Sequence, residues 1–381
     1  MPIPGHATPE GTAAFAKRHT ARESGAAHAG HFRDAFASSP DGPRMSSIGI
    51  GTYLGDPDGR TDAGYRGSVA RAAELGINVI DSAVNYRFQR SERSIGGALQ
   101  DLIHSGRARR EELVICTKGG FLSFDGEAPR NAKAWFEETF SKSGVATLAD
   151  VVAGCHCMTP AYLKHQIARS RENLGVECLD VYYVHNPETQ LDEIPRDEFD
   201  RRLAAAFGLL EEEVKAGRLR AYGVATWDGF RVEPDAPNHL SLQDVVRAAE
   251  SAAGRGHHLR FVQLPFNLAM PEAHVLANQR LGDPGSPQPV SILEAVRRLG
   301  IAVVASASLL QARVIQRMPA HIAEYIPGLQ TPAQRALQFV RSMPGVTTAL
   351  VGMKDVHHVE ENAGLSRIAP LDAGALGRIL G

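Results

Sequence analysis

The feature that most constrains this chain is a repeated alternation of short apolar runs with longer stretches of helical spacing. Eight runs rich in β-branched residues are predicted as strands, at 47–51, 78–81, 113–118, 181–186, 220–225, 261–267, 301–306 and 348–351. A stretch whose apolar residues recur every three or four positions follows each of them. Alternation of this kind is typical of βαβ units that build a parallel sheet.

Eight strands and eight helices without an intervening linker predict a closed (β/α)8 TIM barrel. A doubly wound sheet of six or so strands would leave two of the units unused. We therefore expect residues 46–381 to form a single barrel domain. Residues 1–45 are rich in Gly, Pro, Ala and His, and we expect an N-terminal extension with at most a short hairpin near 32–36 and 45–50.

Helix boundaries follow from capping and stop signals. Thr61 is predicted to cap the first helix, which Gly76 ends, and Ser91 is predicted to cap the second. The remaining helices are expected at 161–174, 199–216, 242–253, 292–298, 332–340 and 356–363.

The charge balance restricts the classes of partner. The chain of 381 residues carries 41 Lys and Arg against 43 Asp and Glu, so no basic excess favours nucleic acid. No run approaches the ~20 apolar residues of a membrane span, and the first thirty residues lack the apolar core of a signal peptide. Four cysteines in so long a chain favour a reducing compartment. We expect a soluble cytoplasmic protein of unknown oligomeric state.

Two segments are longer than a minimal barrel needs. Residues 119–159 separate the third strand from its helix, and residues 309–330 separate the seventh strand from its helix. Both follow the carboxyl ends of strands, where barrel enzymes build their active sites. Such long loops are uncommon unless they are functional. Within the first of them, 131–140 is predicted as a lid helix.

Four ionisable side chains lie at or just beyond the ends of predicted strands. Asp81, Lys118 and His185 each close an apolar run, and Tyr86 follows Asp81 by five positions. Polar groups at these positions face the top of a barrel. A lysine and a carboxylate beside a phenol are expected to lower the pKa of that phenol, so that it can exchange a proton near neutral pH.

The sequence resembles the aldo-keto reductase family from about residue 44 to residue 366. NVIDSAVNYRFQRSERSIG at 78–96 matches the most specific signature of that family. The other matching motifs follow in family order: IGIGTYLG, VICTKGG, LDVYYVHNPE, VQLPFN and LVGMKDVHHVEENAG.

The resemblance implies a catalytic tetrad of Asp81, Tyr86, Lys118 and His185, with Tyr86 as general acid or base and a nicotinamide cofactor as hydride donor. NADPH is expected, with NADH possible, and the substrate would be a small carbonyl compound or alcohol. The implied cofactor contacts are Thr226, Gln263, Ser306, Gly352, Met353, Lys354, His358, Glu361 and Asn362. Tyr53 and His156 are expected in the substrate pocket.

Two departures from the family pattern concern the cofactor. Ala225 and Thr226 replace a Ser-Asn pair, and Ser306-Ala307-Ser308 replaces Tyr-Ser-Pro. Ala225 cannot hydrogen-bond a carboxamide, whereas Thr226 can.

Two alternatives stay open at this point. The chain could be a cofactor-binding regulatory subunit with slow turnover, or a barrel that performs metal-assisted hydrolysis. The sequence offers no ligand cluster for the latter. Cys155-His156-Cys157 lacks the partner pair that a structural zinc site needs, so no metal is expected.

Overall fold

A computed structural model describes residues 1–21, 25–36, 42–282 and 288–380. The chain begins with helix α1 (Pro9–Thr20) and the antiparallel pair β1 (Phe32–Asp34) and β2 (Arg44–Ser46). The strands that follow are β3 (Ile48–Gly51), β4 (Val79–Asp81), β5 (Val114–Gly119), β6 (Leu179–His185), β7 (Leu219–Ala225), β8 (Leu259–Pro265), β9 (Gln279–Leu281), β10 (Gln288–Val290), β11 (Ala302–Ser306) and β12 (Val346–Gly352).

Eight of these strands close into a parallel barrel in the order β11-β12-β3-β4-β5-β6-β7-β8. The predicted (β/α)8 TIM barrel is therefore confirmed. Strands β9 and β10 form a separate antiparallel pair, which the sequence analysis did not predict. Within the described residues, no helix combines the length and the apolar character needed to cross a membrane.

A helix follows each barrel strand. In chain order they are α2 (Gly59–Glu74), α3 (Arg90–His104), α5 (Pro160–Leu174), α6 (Arg196–Lys215), α7 (Leu242–Ala253), α9 (Ile292–Leu299), α12 (Pro332–Ser342) and α13 (Val356–Ala363). Shorter helices α4 (Ala132–Phe136), α8 (Glu272–Val275), α10 (Arg313–Gln316) and α11 (Ile322–Tyr325) lie in the connections, and α14 (Ala373–Leu380) follows the barrel.

The apolar core has two layers. Between strands and helices, a continuous cluster includes Ile50, Ile80, Leu99 and Leu163. Inside the barrel, side chains from alternate strand positions form a second cluster with Val79, Val114, Cys116, Val181, Tyr183, Phe261, Val304 and Leu350. Because side chains fill the interior, a ligand can reach the residues of the barrel strands only at the two ends of the barrel.

Two predicted helix caps were wrong. Asp58, not Thr61, caps α2, because its carboxylate accepts a hydrogen bond from the backbone N–H of Thr61 at 2.7 Å. Helix α3 begins at Arg90, one residue before Ser91, and its N-cap Gln89 has left-handed backbone angles with no side-chain cap. The Ser91 hydroxyl instead donates to Thr52 Oγ1.

The strand pairing predicted near 32–36 and 45–50 is present as the antiparallel pair β1 and β2. The expectation that the extension holds nothing more was wrong, because α1 is a helix of twelve residues. Thr8 caps it and Pro9 starts it. Arg18 of α1 pairs with the buried carboxylate of Glu112 through contacts of 2.7 and 2.9 Å. Glu112 precedes β5, so α1 lies at the amino-terminal end of the barrel. Residues 22–24 and 37–41 of the predicted extension, and residue 381, lie outside the described residues.

The predicted lid at 131–140 forms the short helix α4 and one π-helical turn, Glu137–Ser141. Phe136 and Phe140 are buried in a satellite cluster with Cys157 and Tyr162 of the same loop region and α5. This segment does not line the cavity described below. The predicted helix is thus present in part as α4, and its buried aromatic side chains pack against α5 rather than over the cavity.

Candidate active site

Three of the predicted catalytic side chains come from the ends of consecutive barrel strands. Asp81 is the last residue of β4, Lys118 is the penultimate residue of β5 and His185 is the last residue of β6. Tyr86 follows five residues after β4. Asp81, Tyr86 and His185 line one cavity, and Lys118 contacts both Asp81 and Tyr86.

Lys118 and Asp81 form a buried ion pair. The Lys118 ammonium lies 2.5 Å from Asp81 Oδ1 and donates to the carbonyl oxygen of Ser82 at 2.6 Å. Burial alone lowers the pKa of Lys118, but the Asp81 carboxylate and Tyr86 outweigh it, so the pKa is raised. A positive charge is therefore held beside the phenol of Tyr86.

Tyr86 lies between the cation and the histidine. Its ring centroid is 5.0 Å from Lys118 Nζ and 5.9 Å from the His185 ring. Burial raises the pKa of Tyr86, and the charge of Lys118 offsets only part of that effect. The expected lowering of this pKa was therefore wrong, because removal of the phenolate from water is the larger effect. The protonated phenol is the form that can donate a proton.

His185 is a neutral imidazole at this site. Burial, followed by the charge of Lys118, holds the pKa of His185 well below its usual range. Its Nδ1 atom is buried and has no hydrogen-bond partner among the described residues. A neutral ring with a free nitrogen can bind an oxygen of a small molecule in the cavity.

The backbone directly after Tyr86 is strained. Arg87, Phe88 and Gln89 have φ angles of +48°, +56° and +69°, a region that costs non-glycine residues of order 1–3 kcal/mol each. The buried guanidinium of Arg87 donates to Asp62 Oδ1 at 2.6 Å and lies 4.9 Å from the Tyr65 ring centroid. Contacts from α2 thus hold the turn that positions Tyr86.

The cavity has a volume of about 970 Å³ and opens at the carboxyl ends of the strands. Seven of the nine predicted cofactor contacts line it, namely Thr226, Gln263, Ser306, Gly352, His358, Glu361 and Asn362. The lining therefore extends from the Tyr86 region to α13. The structure brings these seven residues to the same cavity as Asp81, Tyr86 and His185.

The two other predicted cofactor residues lie outside the lining. Met353 is buried, and its sulfur accepts a hydrogen bond of 3.5 Å from Asn362 Nδ2. Lys354 is exposed. Met353 therefore supports Asn362 from behind, and Lys354 lies on the surface near the start of α13.

The two predicted substrate-pocket residues differ in their placement. Tyr53 lines the cavity, is 56% exposed, and its ring centroid lies 4.9 Å from that of Tyr86. His156 is fully buried and does not line the cavity. Its Nε2 donates to the carbonyl oxygen of His185 at 2.7 Å and its Nδ1 accepts from Gln190 at 2.9 Å. The prediction for His156 was wrong, because both ring nitrogens are used to support the His185 backbone.

Comparison with known proteins decides the family. The model of the aldo/keto reductase family matches residues 47–237, the half of the chain that contains the whole tetrad. The chain belongs to the aldo/keto reductase family. Two curated relatives are the NADH-specific methylglyoxal reductase of Escherichia coli K12, 27% identical over 195 residues, and the D-threo-aldose 1-dehydrogenase of a Pseudomonas species, 28% identical over 155 residues.

The matched stretches are partial. The match to the methylglyoxal reductase covers 49% of this chain and 50% of that protein. The match to the aldose dehydrogenase covers 41% of this chain and 41% of that protein. The chain thus matches about half the length of these relatives or less.

Solved structures resemble the whole barrel. An aldo/keto reductase from Klebsiella pneumoniae in complex with NADP and acetate is 20% identical, with a TM-score of 0.58 and coverage of 89% of this chain and 91% of that one. The glycerol dehydrogenase of Gluconobacter oxydans is 18% identical, with a TM-score of 0.61 and coverage of 92% and 94%. At these identities the likeness concerns the fold.

Several residues that line the cavity were not predicted. They are Asn85, Phe121, Leu309, Leu310, Ile315 and Thr331. Ala307, Leu310, Gln311 and Ala312 have φ angles between +45° and +68°, so the loop after β11 crosses the mouth in a strained conformation. Phe121 lies three residues after Lys118, just beyond the end of β5, and this position could have predicted it as a lining residue. The path of the loop after β11 could not be predicted from its sequence.

Cys155 and Cys157 are not part of any cluster of potential metal ligands within the described residues. Across residues 1–21, 25–36, 42–282 and 288–380, no three His, Cys, Asp or Glu side chains come close enough together to hold a metal ion. All four cysteines are unpaired.

Proposed function

We propose that the protein is an NAD(P)H-dependent oxidoreductase that reduces an aldehyde or ketone to an alcohol, or runs the reverse reaction on an alcohol or sugar. The observation that carries this proposal is the contact of Lys118 with both Asp81 and Tyr86 beside His185, at one large cavity. Membership of the aldo/keto reductase family supports it.

The far part of the cavity fits a dinucleotide. Asn362 Oδ1 is buried and has no hydrogen-bond partner among the described residues, which suits an amino donor such as that of adenine. Thr331, Pro332 and Ala333, at the amino end of α12, also line the cavity. Pro332 has no N–H and Gln334 donates its own to Thr331 Oγ1, so the N–H of Ala333 is the group that we propose to favour a phosphate. We assign Gln263 and Thr226, which also line the cavity, to the carboxamide end of the nicotinamide.

The proposed roles of the chain's own residues concern the proton and the orientation of the substrate. When bound, a reduced nicotinamide supplies the hydride for the carbonyl carbon. Tyr86 donates its phenolic proton to the carbonyl oxygen as negative charge develops there. Lys118 stabilises the phenolate that remains, and Asp81 holds Lys118 in place. Neutral His185 orients the carbonyl oxygen by a hydrogen bond.

The substrate is proposed to be uncharged near its reacting group. Around Tyr86 and His185 the lining is aromatic, with Tyr53, Phe121 and Trp227. Among the described lining residues, the acids are Asp81 and Glu361, and the ionisable nitrogen groups are the imidazoles of His185 and His358. None of the described lining residues is a lysine or arginine that could bind a carboxylate or phosphate of the substrate.

NADPH is the proposed cofactor, with NADH as the second possibility. His358 in the lining and Lys354 nearby can carry positive charge toward a 2′-phosphate, whereas Asp355 and Glu361 oppose it. One related protein is an NADH-specific enzyme and one similar structure holds NADP, so relatives exist with either cofactor.

Two further proposals concern organisation. Residues 46–381 are proposed to act as one catalytic domain, with residues 1–45 as an extension at the amino-terminal end of the barrel. Four unpaired cysteines, of which Cys116, Cys157 and Cys178 are buried, support a reducing, cytoplasmic location.

The test is titration of the purified protein with NADPH and NADH, followed by steady-state turnover on uncharged aldehydes and ketones. Binding together with turnover supports the proposal. Tight cofactor binding without turnover on any of them would favour a regulatory subunit instead.

A further inference from the structure

A buried carboxylate joins two loops at the cavity mouth. Glu188 is 5% exposed and lies in the turn Pro187–Asp192 that follows β6. Its Oε1 atom accepts hydrogen bonds from three successive backbone N–H groups after β7, those of Trp227 at 2.6 Å, Asp228 at 3.1 Å and Gly229 at 3.4 Å. One oxygen atom therefore fixes the course of the whole turn.

The loops that Glu188 joins both line the cavity. On its own side, His185 and Asn186 precede it by three and two residues, and both are lining residues. On the other side, the turn begins with Thr226 and Trp227, which also line the cavity. The backbone N–H of Thr226 donates to the carbonyl oxygen of Gln263 at 2.9 Å, so this turn is continuous with the region proposed to hold the nicotinamide.

Trp227 depends on this turn for its position. Its side chain is 44% exposed at the mouth, so packing around the ring constrains it only in part. The backbone that carries it is fixed by Glu188 from one side and by Arg231, which donates to the carbonyl oxygen of Trp227 at 3.1 Å, from the other.

Stability alone does not account for a carboxylate at this position. Its second oxygen, Oε2, is buried without a hydrogen-bond partner among the described residues, and an unpaired buried acceptor costs free energy. Burial raises the pKa of Glu188 to about 7, and the backbone N–H groups oppose that rise only in part. The cost is consistent with a role in placing the turn.

We propose that Glu188 is a positioning residue that holds Trp227 against the bound cofactor and thereby sets the affinity of the cavity for it, without acting in the chemical step. This inference rests on the proposed oxidoreductase function. It predicts that the effect of Glu188 on cofactor binding is transmitted through Trp227.

The experiment measures the dissociation constant of NADPH by calorimetry for Glu188→Ala, Trp227→Ala and the double variant. We expect each single variant to weaken NADPH binding about fivefold to tenfold, the size expected for a lost aromatic contact. The double variant should bind no more weakly than Trp227→Ala, because the two residues act in series. Additive losses in the double variant would overturn the proposal.

A second readout uses the protein without cofactor. The chain has two tryptophans, so Trp135→Phe leaves Trp227 as the only tryptophan reporter. In that background, Glu188→Ala should change the emission and acrylamide quenching of Trp227, and Glu188→Gln should restore the parent signal, because an amide oxygen still accepts the N–H bonds. An unchanged signal in Glu188→Ala contradicts the proposal.

Glu213→Ala is the matched control. Glu213 is also a buried glutamate, but it pairs with Arg218 at 2.6 Å near the carboxyl end of α6, remote from the mouth. Its loss should reduce stability and leave the NADPH dissociation constant unchanged. If Glu188→Ala does not fold, Trp227→Ala still tests the proposal. Unaltered NADPH binding in Trp227→Ala excludes the role proposed for Glu188, because that role acts through Trp227. Absence of NADPH binding by the parent would refute the proposed function itself, which is a separate outcome.

Discussion

Gln263 donates a hydrogen bond of 2.8 Å from its side-chain amide to Asp81 Oδ2, while the other oxygen of Asp81 contacts Lys118 at 2.5 Å. The residue proposed to meet the nicotinamide carboxamide is therefore bonded to the ion pair beside Tyr86. Both oxygens of the buried Asp81 carboxylate are used, so a change at Gln263 is expected to affect Lys118 and, through it, Tyr86.

Replacement of Gln263 by leucine tests whether Gln263 both supports Asp81 and binds the cofactor. The variant leaves Asp81 Oδ2 buried without its partner, which costs about 1–3 kcal/mol. We expect a lower free energy of unfolding in urea and weaker NADPH binding by calorimetry. Gln190→Leu is a control, because Gln190 is also buried and hydrogen-bonded, but to His156 behind the cavity. Unchanged stability in Gln263→Leu would contradict the proposed support of Asp81.

Tyr86→Phe removes the proposed proton donor and preserves the ring. Turnover should fall about 10²–10⁴-fold, the usual contribution of a general acid, with little change in NADPH affinity. Tyr53→Phe is the matched control, since the Tyr53 ring packs against Tyr86 at the mouth but has no proposed role in proton transfer. Near-parent turnover in Tyr86→Phe would refute the assignment.

His358→Ala tests the cofactor preference. If His358 carries positive charge toward a 2′-phosphate, NADPH binding should weaken about tenfold and NADH binding should not change. The tenfold figure corresponds to about 1.4 kcal/mol, close to the lower end of the roughly 1.5–3 kcal/mol of a hydrogen bond to a charged group. His357→Ala is the control, because His357 is exposed next to it and does not line the cavity. Equal losses for the two nucleotides would exclude phosphate recognition by His358.

Glu188 should also leave a signature in the pH dependence of stability. Its pKa is raised from 4.5 to about 7 on folding, so the protonated carboxyl favours the folded state. This contribution is fully present below about pH 4.5 and is lost as the pH rises through about 7. The free energy of unfolding of Glu188→Gln minus that of the parent should therefore increase across this window, by at most 1.36 kcal/mol per pH unit.

Urea unfolding at several pH values measures this difference. His31 and His156, whose pKa values burial lowers to about 3 and about 4, have the opposite dependence. They are present in both proteins and cancel in the comparison. A constant difference would mean that Glu188 does not titrate in this range.

The barrel was predictable from sequence because each strand is an apolar run bounded by polar residues. Asp81, Lys118 and His185 were identifiable for the same reason, since each interrupts an apolar run at its carboxyl end. Seven of the nine predicted cofactor contacts also line the cavity, because short motifs directly after strands leave the chain little choice of path.

What was not predictable depends on contacts between distant residues. His156 is fixed by His185 and Gln190, which no local pattern relates to it. Helix α1 was not predicted because its buried face includes Thr12, Phe15, Ala16 and His19. These residues are too weakly apolar to give a clear helical periodicity of hydrophobic positions. The direction of the Tyr86 pKa depends on its burial, and burial is a property of the folded structure.

The predicted catalytic side chains and the loop after β11 come from different parts of the barrel mouth, and this has a consequence for engineering. The ends of β4, β5 and β6 hold Asp81, Lys118 and His185, whereas Leu309, Leu310 and Ile315 enter the cavity from a loop that contributes none of them. Exchanging that loop for one of another length would alter which molecules the cavity admits and leave the proposed proton-transfer groups in place. On the proposed function, this loop is therefore the segment to graft when other carbonyl compounds are to be admitted.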